Sequence, residues 1–167
     1  TREEANFARR MIAKTNNFGT ADSLMRMAIV GSRLGACVPI INARILKTEN
    51  TADYEESTVV LTLLVPSKET ILKDVLSKTK DTEMVFAALM RCVSLLSAAG
   101  IVHTAIFDNA VFFENQIQTT ITGPQDCYAD ESPAMCEIVT LGVLLLEMFK
   151  LGHNMKYGFR KLLALLQ

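Results

Sequence analysis

Nine consecutive residues, Ile138–Leu146 (IVTLGVLLL), carry no charge and are bounded by Glu137 and Glu147. A membrane-spanning helix needs roughly twenty apolar residues, so a run this short reads as a buried core helix, covering Ala134–Lys150. Leu141 and Leu145 are its expected fully buried positions. A second apolar pattern supplies a partner for it. From Thr82 to Ala99, apolar residues recur at 85, 88, 89, 92, 95, 96 and 99, which is helical periodicity. Gly100 is placed to cap that helix.

The chain around these two helices has 167 residues, enough for a core that needs no covalent staples. Half of it is hydrophobic and 21% charged, which excludes disordered and fibrous classes. Seventeen basic residues stand against eighteen acidic ones. That balance makes no electrostatic case for nucleic acid or for an anionic membrane surface. No membrane span is predicted. Eight methionines and no tryptophan fit an aliphatic, mostly helical core. The chain opens TREEANFARR, with neither an initiator methionine nor an apolar signal-like run, and reads as a processed or trimmed part of a longer protein.

Local pattern divides the remainder. Glu3–Lys14 reads as a helix, with acids at its start and bases towards its end. Short strands are expected at Met27–Val30 and Ile40–Lys47, and a stronger one at Thr58–Val65 (TVVLTLLV), stopped by Pro66. TADYEES before it reads as a polar turn. Lys68–Ser77 reads as a short amphipathic helix. Two further strands are expected at Ala110–Phe113 and Gln118–Thr122, joined by a turn at 114–116, then a loop from Pro124 to Pro133. Phe159–Leu166 reads as a last amphipathic helix. The fold class is therefore α+β, in two parts, 1–66 and 67–167.

Four cysteines stand at 37, 92, 127 and 136, with no C-x-x-C pair and no histidine at zinc-ligand spacing. No metal site is expected. Cys92 falls on an apolar helical stripe and reads as a buried thiol. Cys127 and Cys136 flank a polar loop and are candidates for a disulfide in an exported protein.

Three strings, in this order, resemble the protein-kinase fold: LLSAAGIVHTAIFDNAVFF (95–113), IQTTITGPQ (117–125) and EIVTLGVLLLEMF (137–149). The first is similar to the end of a kinase helix running into the catalytic loop H-R-D-L-x-x-x-N. The second resembles the strand that leads to D-F-G, and the third a buried C-lobe helix. LTLLVPSKETILKDVL (61–76) looks like the last N-lobe strand, the hinge and the next helix. Within kinases the chain is most similar to the rhoptry-kinase group of apicomplexan parasites. The points of likeness are HT at 103–104, ITG at 121–123 and FGTADSLMRMAIVGSRLG at 18–35. The resemblance implies a bilobal kinase-like fold with a reduced N-lobe and a mainly helical C-lobe.

It also assigns positions. His103 takes the place of the catalytic-loop histidine, Ala105 that of the aspartate base and Ala110 that of the metal-binding asparagine. Gly123 falls where the D-F-G aspartate is expected, and Glu137 where kinases carry the helical aspartate that ties down the catalytic loop. Phosphoryl transfer needs carboxylates to accept the hydroxyl proton and to hold magnesium against the phosphates. Alanine, alanine and glycine do neither. No Gly-rich loop and no V-A-I-K lysine is found, and Glu3 or Glu4 would stand for the glutamate that pairs with that lysine. SPAM (132–135) is the only echo of A-P-E. Asp108, Asn109 and Asp126 read as solvated loop residues rather than replacements.

The expectation is a pseudokinase, not an enzyme, without cofactors and without binding of ATP and magnesium. It would act as a scaffolding or regulatory module on a protein partner, a kinase or a host protein, and by family likeness would be a secreted effector of a parasite rhoptry, vacuole or cyst wall. The competing readings are a structural component of a vacuole or cyst wall, and an atypical active kinase with relocated catalytic groups.

Overall fold

The computed structural model describes residues 7–15, 18–51, 54–65, 70–72, 74–75 and 82–150. Its N-terminal layer is an antiparallel sheet of three strands, β1 (Phe7–Thr15), β2 (Ile40–Thr51) and β3 (Tyr54–Val65), in the order β1-β3-β2. A helix, α1 (Phe18–Leu34), connects β1 to β2 and packs on this sheet. Val59, Leu61 and Leu63 alternate along β3 and enter the same buried cluster as Leu24, Met27 and Ala28 of α1, as period-2 and helical spacing require.

This layer overturns two expectations. Residues 7–15 form a strand and not part of a helix, because β3 pairs with them along the whole length, from Phe7↔Val65 to Thr15↔Ser57. A partner some fifty residues away overrides a weak local charge pattern. Met27–Val30 is helical, not a strand. Its β-branched Ile29 and Val30 are half-buried and exposed, while Ala21, Leu24, Ala28 and Gly31 are buried at helical spacing. Gly31 admits a close approach: a Cβ there would run into Cys37 Sγ. β2 and β3 run on through the expected polar turn as far as the pair Thr51↔Tyr54, with register shifts between Ile40 and Asn42 and between Lys47 and Glu49.

The second part is mainly helical. α2 (Thr82–Ala98) buries Val85, Phe86, Leu89, Cys92, Val93 and Leu96. Gly100 ends it in the left-handed region at φ +75°, as a C-terminal cap requires. Around α2 lie β4 (Thr70–Ile71), β5 (Ile101–His103), the one-turn α3 (Ile106–Asn109), β6 (Ala110–Phe113), β7 (Gln116–Thr119) and β8 (Cys127–Ala129). β4, β6 and β7 form one small sheet, β5 and β8 another. Thr70 and Ile71 are therefore strand, paired with Phe112 and Val111, where a helix was expected. Leu72, Asp74 and Val75 are helical, and the other five residues of Lys68–Ser77 and all of Phe159–Leu166 lie outside the described residues.

The β6–β7 turn is two residues, Glu114 and Asn115, both at positive φ (49° and 63°). β7 consequently begins at Gln116 and stops at Thr119, leaving 120–123 out of the sheet. α4 (Pro133–Lys150) is the helix anticipated from the charge-free run. Pro133 opens it, and Ser132 Oγ accepts the Met135 N–H at 3.3 Å in a capping bond. Leu144 is enclosed, whereas Leu141 and Leu145 are only partly buried. The two parts are joined directly: Val38 N–H donates to the Thr119 carbonyl (2.9 Å) and Thr119 N–H to that of Ala36 (3.0 Å). No helix among the described residues is long and apolar enough to cross a membrane.

Candidate functional site

Residues 103–110 lie against α4 and are hydrogen-bonded to residues 119–127, and His103 is the junction. It closes β5 opposite Cys127 of β8 and is 1% exposed. The Ala105 N–H can only donate, and it points at His103 Nδ1 at 3.1 Å. Nδ1 is therefore the acceptor and the proton sits on Nε2, 2.8 Å from the Thr120 carbonyl and 3.2 Å from Thr119 Oγ1. Burial pushes the imidazole below the usual histidine range, more than the Thr120 carbonyl and the Asp126 charge pull it up. A neutral ring with both nitrogens engaged holds a loop in place. It is not a free acid or base.

The rest of the loop is tied in the same manner. Thr104 donates to the Asp126 carbonyl twice, from N–H at 2.8 Å and from Oγ1 at 3.0 Å. Asn109 Nδ2 donates to the Ala105 carbonyl (2.8 Å), and Thr122 Oγ1 donates to Asp126 Oδ2 (3.0 Å). Gly123 accepts N–H bonds from both Asp126 and Cys127, and a Cβ on it would press into the Gln125 side-chain amide. Asn109 and Asp126 are thus spent on loop structure, and Asp108 is exposed on α3.

The structure brings His103, Ala105 and Gly123 into one region, and sets Ala110 at the start of β6, buried and paired with Thr119. It separates Glu137 from the role assigned to it. Glu137 is half-buried on α4 with no hydrogen bond among the described residues, while Thr140, one turn on, accepts the His103 main-chain N–H on its Oγ1 at 3.4 Å. Thr140 is fully buried. Sequence reasoning passed it over, although it is the only hydrogen-bonding side chain in IVTLGVLLL. A buried polar residue needs a partner, and that was the available signal.

The candidate disulfide is not formed. Cys127 and Cys136 are both buried free thiols with different partners: Cys127 Sγ lies 3.8 Å from Thr122 Oγ1, and Cys136 Sγ donates to the Asp130 carbonyl at 3.7 Å. Cys92 Sγ donates to the Ala36 carbonyl (3.4 Å), and burial pushes its thiol up to about 12. None of this makes a nucleophile.

Cavities among the described residues include one away from the junction and one beside it. One, of about 450 Å³, opens where the end of α1 meets α2 and the β6–β7 turn, with Arg91 and Glu114 among its walls. The other, of about 360 Å³, separates α1 from Pro124–Ala129 and is bordered by Tyr128. Among the described residues no three His, Cys, Asp or Glu side chains converge to hold a metal ion. No protein-family model, curated protein or solved structure matches the chain.

Proposed function

We propose that this chain is a catalytically inactive, protein-kinase-like domain that works by binding a protein partner, as a scaffold or regulator. The observation that carries the reading is the His103 loop. Hydrogen bonds at both His103 nitrogens, Thr104 and Asn109 hold it, while the positions that the resemblance assigns to chemistry are methyl groups, Ala105 and Ala110, and segment 121–123 supplies Ile121, Thr122 and Gly123 in place of a carboxylate. The order of elements supports it as well. A strand, a helix and two strands make an antiparallel layer, and a helix, a hairpin and a buried helix follow.

Within this reading, the strand at residues 7–15 puts MIAK (11–14) shortly before a helix, and Lys14 is then a candidate for the V-A-I-K lysine. No glutamate stands on α1 to pair with it. The only acid of α1 is Asp22, which already pairs with Arg26 at 2.7 Å. The exported-effector role belongs to the same proposal and rests on the rhoptry-kinase likeness alone.

The test is transfer of radiolabelled phosphate from ATP and magnesium to a generic protein substrate and to the chain itself. Parent and Ala105→Asp are both expected to be inactive, since a base helps only where the phosphate is held and its charge neutralised. Robust turnover by either, or a magnesium-dependent thermal shift with ATP in the micromolar range, would overturn the proposal.

A further inference from the structure

The cavity of about 450 Å³ lies away from the His103 loop and joins an apolar floor to a rim of both charges. Ala88, Arg91, Cys92 and Leu95, at helical spacing, turn one face of α2 towards it. Cys92 and Ile117 of β7 are buried in its floor, beside the partly buried Ala88 and Leu95. Leu34, at the end of α1, is 42% exposed at its edge. Pockets for small molecules run from roughly 300 to 1,000 Å³ and combine apolar side chains with a few placed polar groups. This cavity falls within that range.

Its charged walls are Arg91 and Glu114. Both are exposed, and neither makes an ion pair with the other or with any other group among the described residues. Two opposite charges that border one cavity without closing on each other leave room between them for a ligand. Glu114 is also held at φ 49° in a two-residue turn, a place that glycine, asparagine and aspartate fill most easily. A side chain kept in a sparsely populated conformation on a cavity wall points to its use there. The charges also select the ligand. A lone anion drawn to Arg91 would meet the Glu114 carboxylate, and a lone cation drawn to Glu114 would meet the guanidinium. Cys92 adds no charge, because burial keeps its thiol protonated. A neutral molecule carrying both signs complements both walls, and an aliphatic part between them covers the floor.

We propose that this cavity binds a small apolar zwitterion, with its α-carboxylate on Arg91, its α-ammonium on Glu114 and an aliphatic side chain over Leu95 and Ile117. Free amino acids and short apolar peptides share that chemistry. The test is methyl NMR of the full chain titrated with L-leucine and, separately, with leucyl-leucine. Saturable shifts at Ala88, Leu95 and Ile117, with a Kd in the millimolar range or tighter, are expected with at least one of them, and the tighter one identifies the source. The C-terminal amide of that probe, lacking the carboxylate, and its N-acetyl form, lacking the ammonium, should each bind about tenfold more weakly. Arg91→Gln should bring the zwitterion down to the affinity of the amide, and Glu114→Gln down to that of the acetyl form. The blocked probes use the parent chain, so the outcome does not hang on how a variant folds. No saturable shift with either zwitterion, shifts confined to other methyl groups, or blocked probes that bind as tightly as the zwitterion would each defeat the proposal.

Discussion

Burial and two fixed partners leave the His103 ring neutral, with its proton on Nε2 towards the Thr120 carbonyl. The unfolded chain takes up a proton near pH 6.5, whereas the folded one resists it. Below that pH the unfolded state binds more protons, so this residue's contribution is fully present above about pH 6.5 and is lost as the pH falls. His103→Gln should destabilise by about 1–3 kcal/mol at neutral pH. The parent's advantage over the variant should then shrink towards pH 5.5, by at most about 1.4 kcal/mol per unit. Urea titrations at the two pH values measure this, and an equal advantage at both would contradict a neutral buried ring. His103 was legible from the string around it. Its anchor was not: the motif count pointed to Glu137, and the hydrogen bond belongs to Thr140, because a count along one chain does not say which turn of a helix faces the loop.

At the scale of elements, α4 shows which positions along an apolar run matter. Leu144→Ala should cost about 2–5 kcal/mol, and Leu141→Ala less, because only Leu144 is enclosed. Equal losses in denaturant titrations would place the helix in another rotation. On α2, the buried Ser97 hydroxyl has no hydrogen-bond partner among the described residues. Ser97→Ala removes an unsatisfied group and improves helix propensity, so the melting temperature should rise; a fall would reveal a partner for that hydroxyl. α2 and α4 were legible because their periodic apolar patterns are long. β1 was not, since its pairing lies wholly on β3. β5 and β8 were missed because three-residue strands that pair only with each other leave no periodicity to read.

Across the whole molecule, one buried cluster runs from Val59, Leu61 and Leu63 through α1 to Leu89 and Leu96 of α2, and the pairing of residues 36–38 with Thr119 bridges the two parts. Cys37 and Cys127 lie on opposite sides of the 66/67 boundary and both are buried. Denaturant should therefore release these thiols to a thiol reagent at one midpoint, coincident with loss of far-UV circular dichroism. Separate midpoints would show two independently stable parts. Composition and periodicity by themselves determined that this chain buries two long helices beside strands, a property written in residue identity and short-range spacing. Tertiary structure alone decided that residues 7–15 join a sheet, that Thr140 holds the His103 loop, that Cys127 and Cys136 stay apart, and which face of α4 is left outward. Each of those depends on a partner distant in sequence, and the free energy of such a contact is absent from any local window.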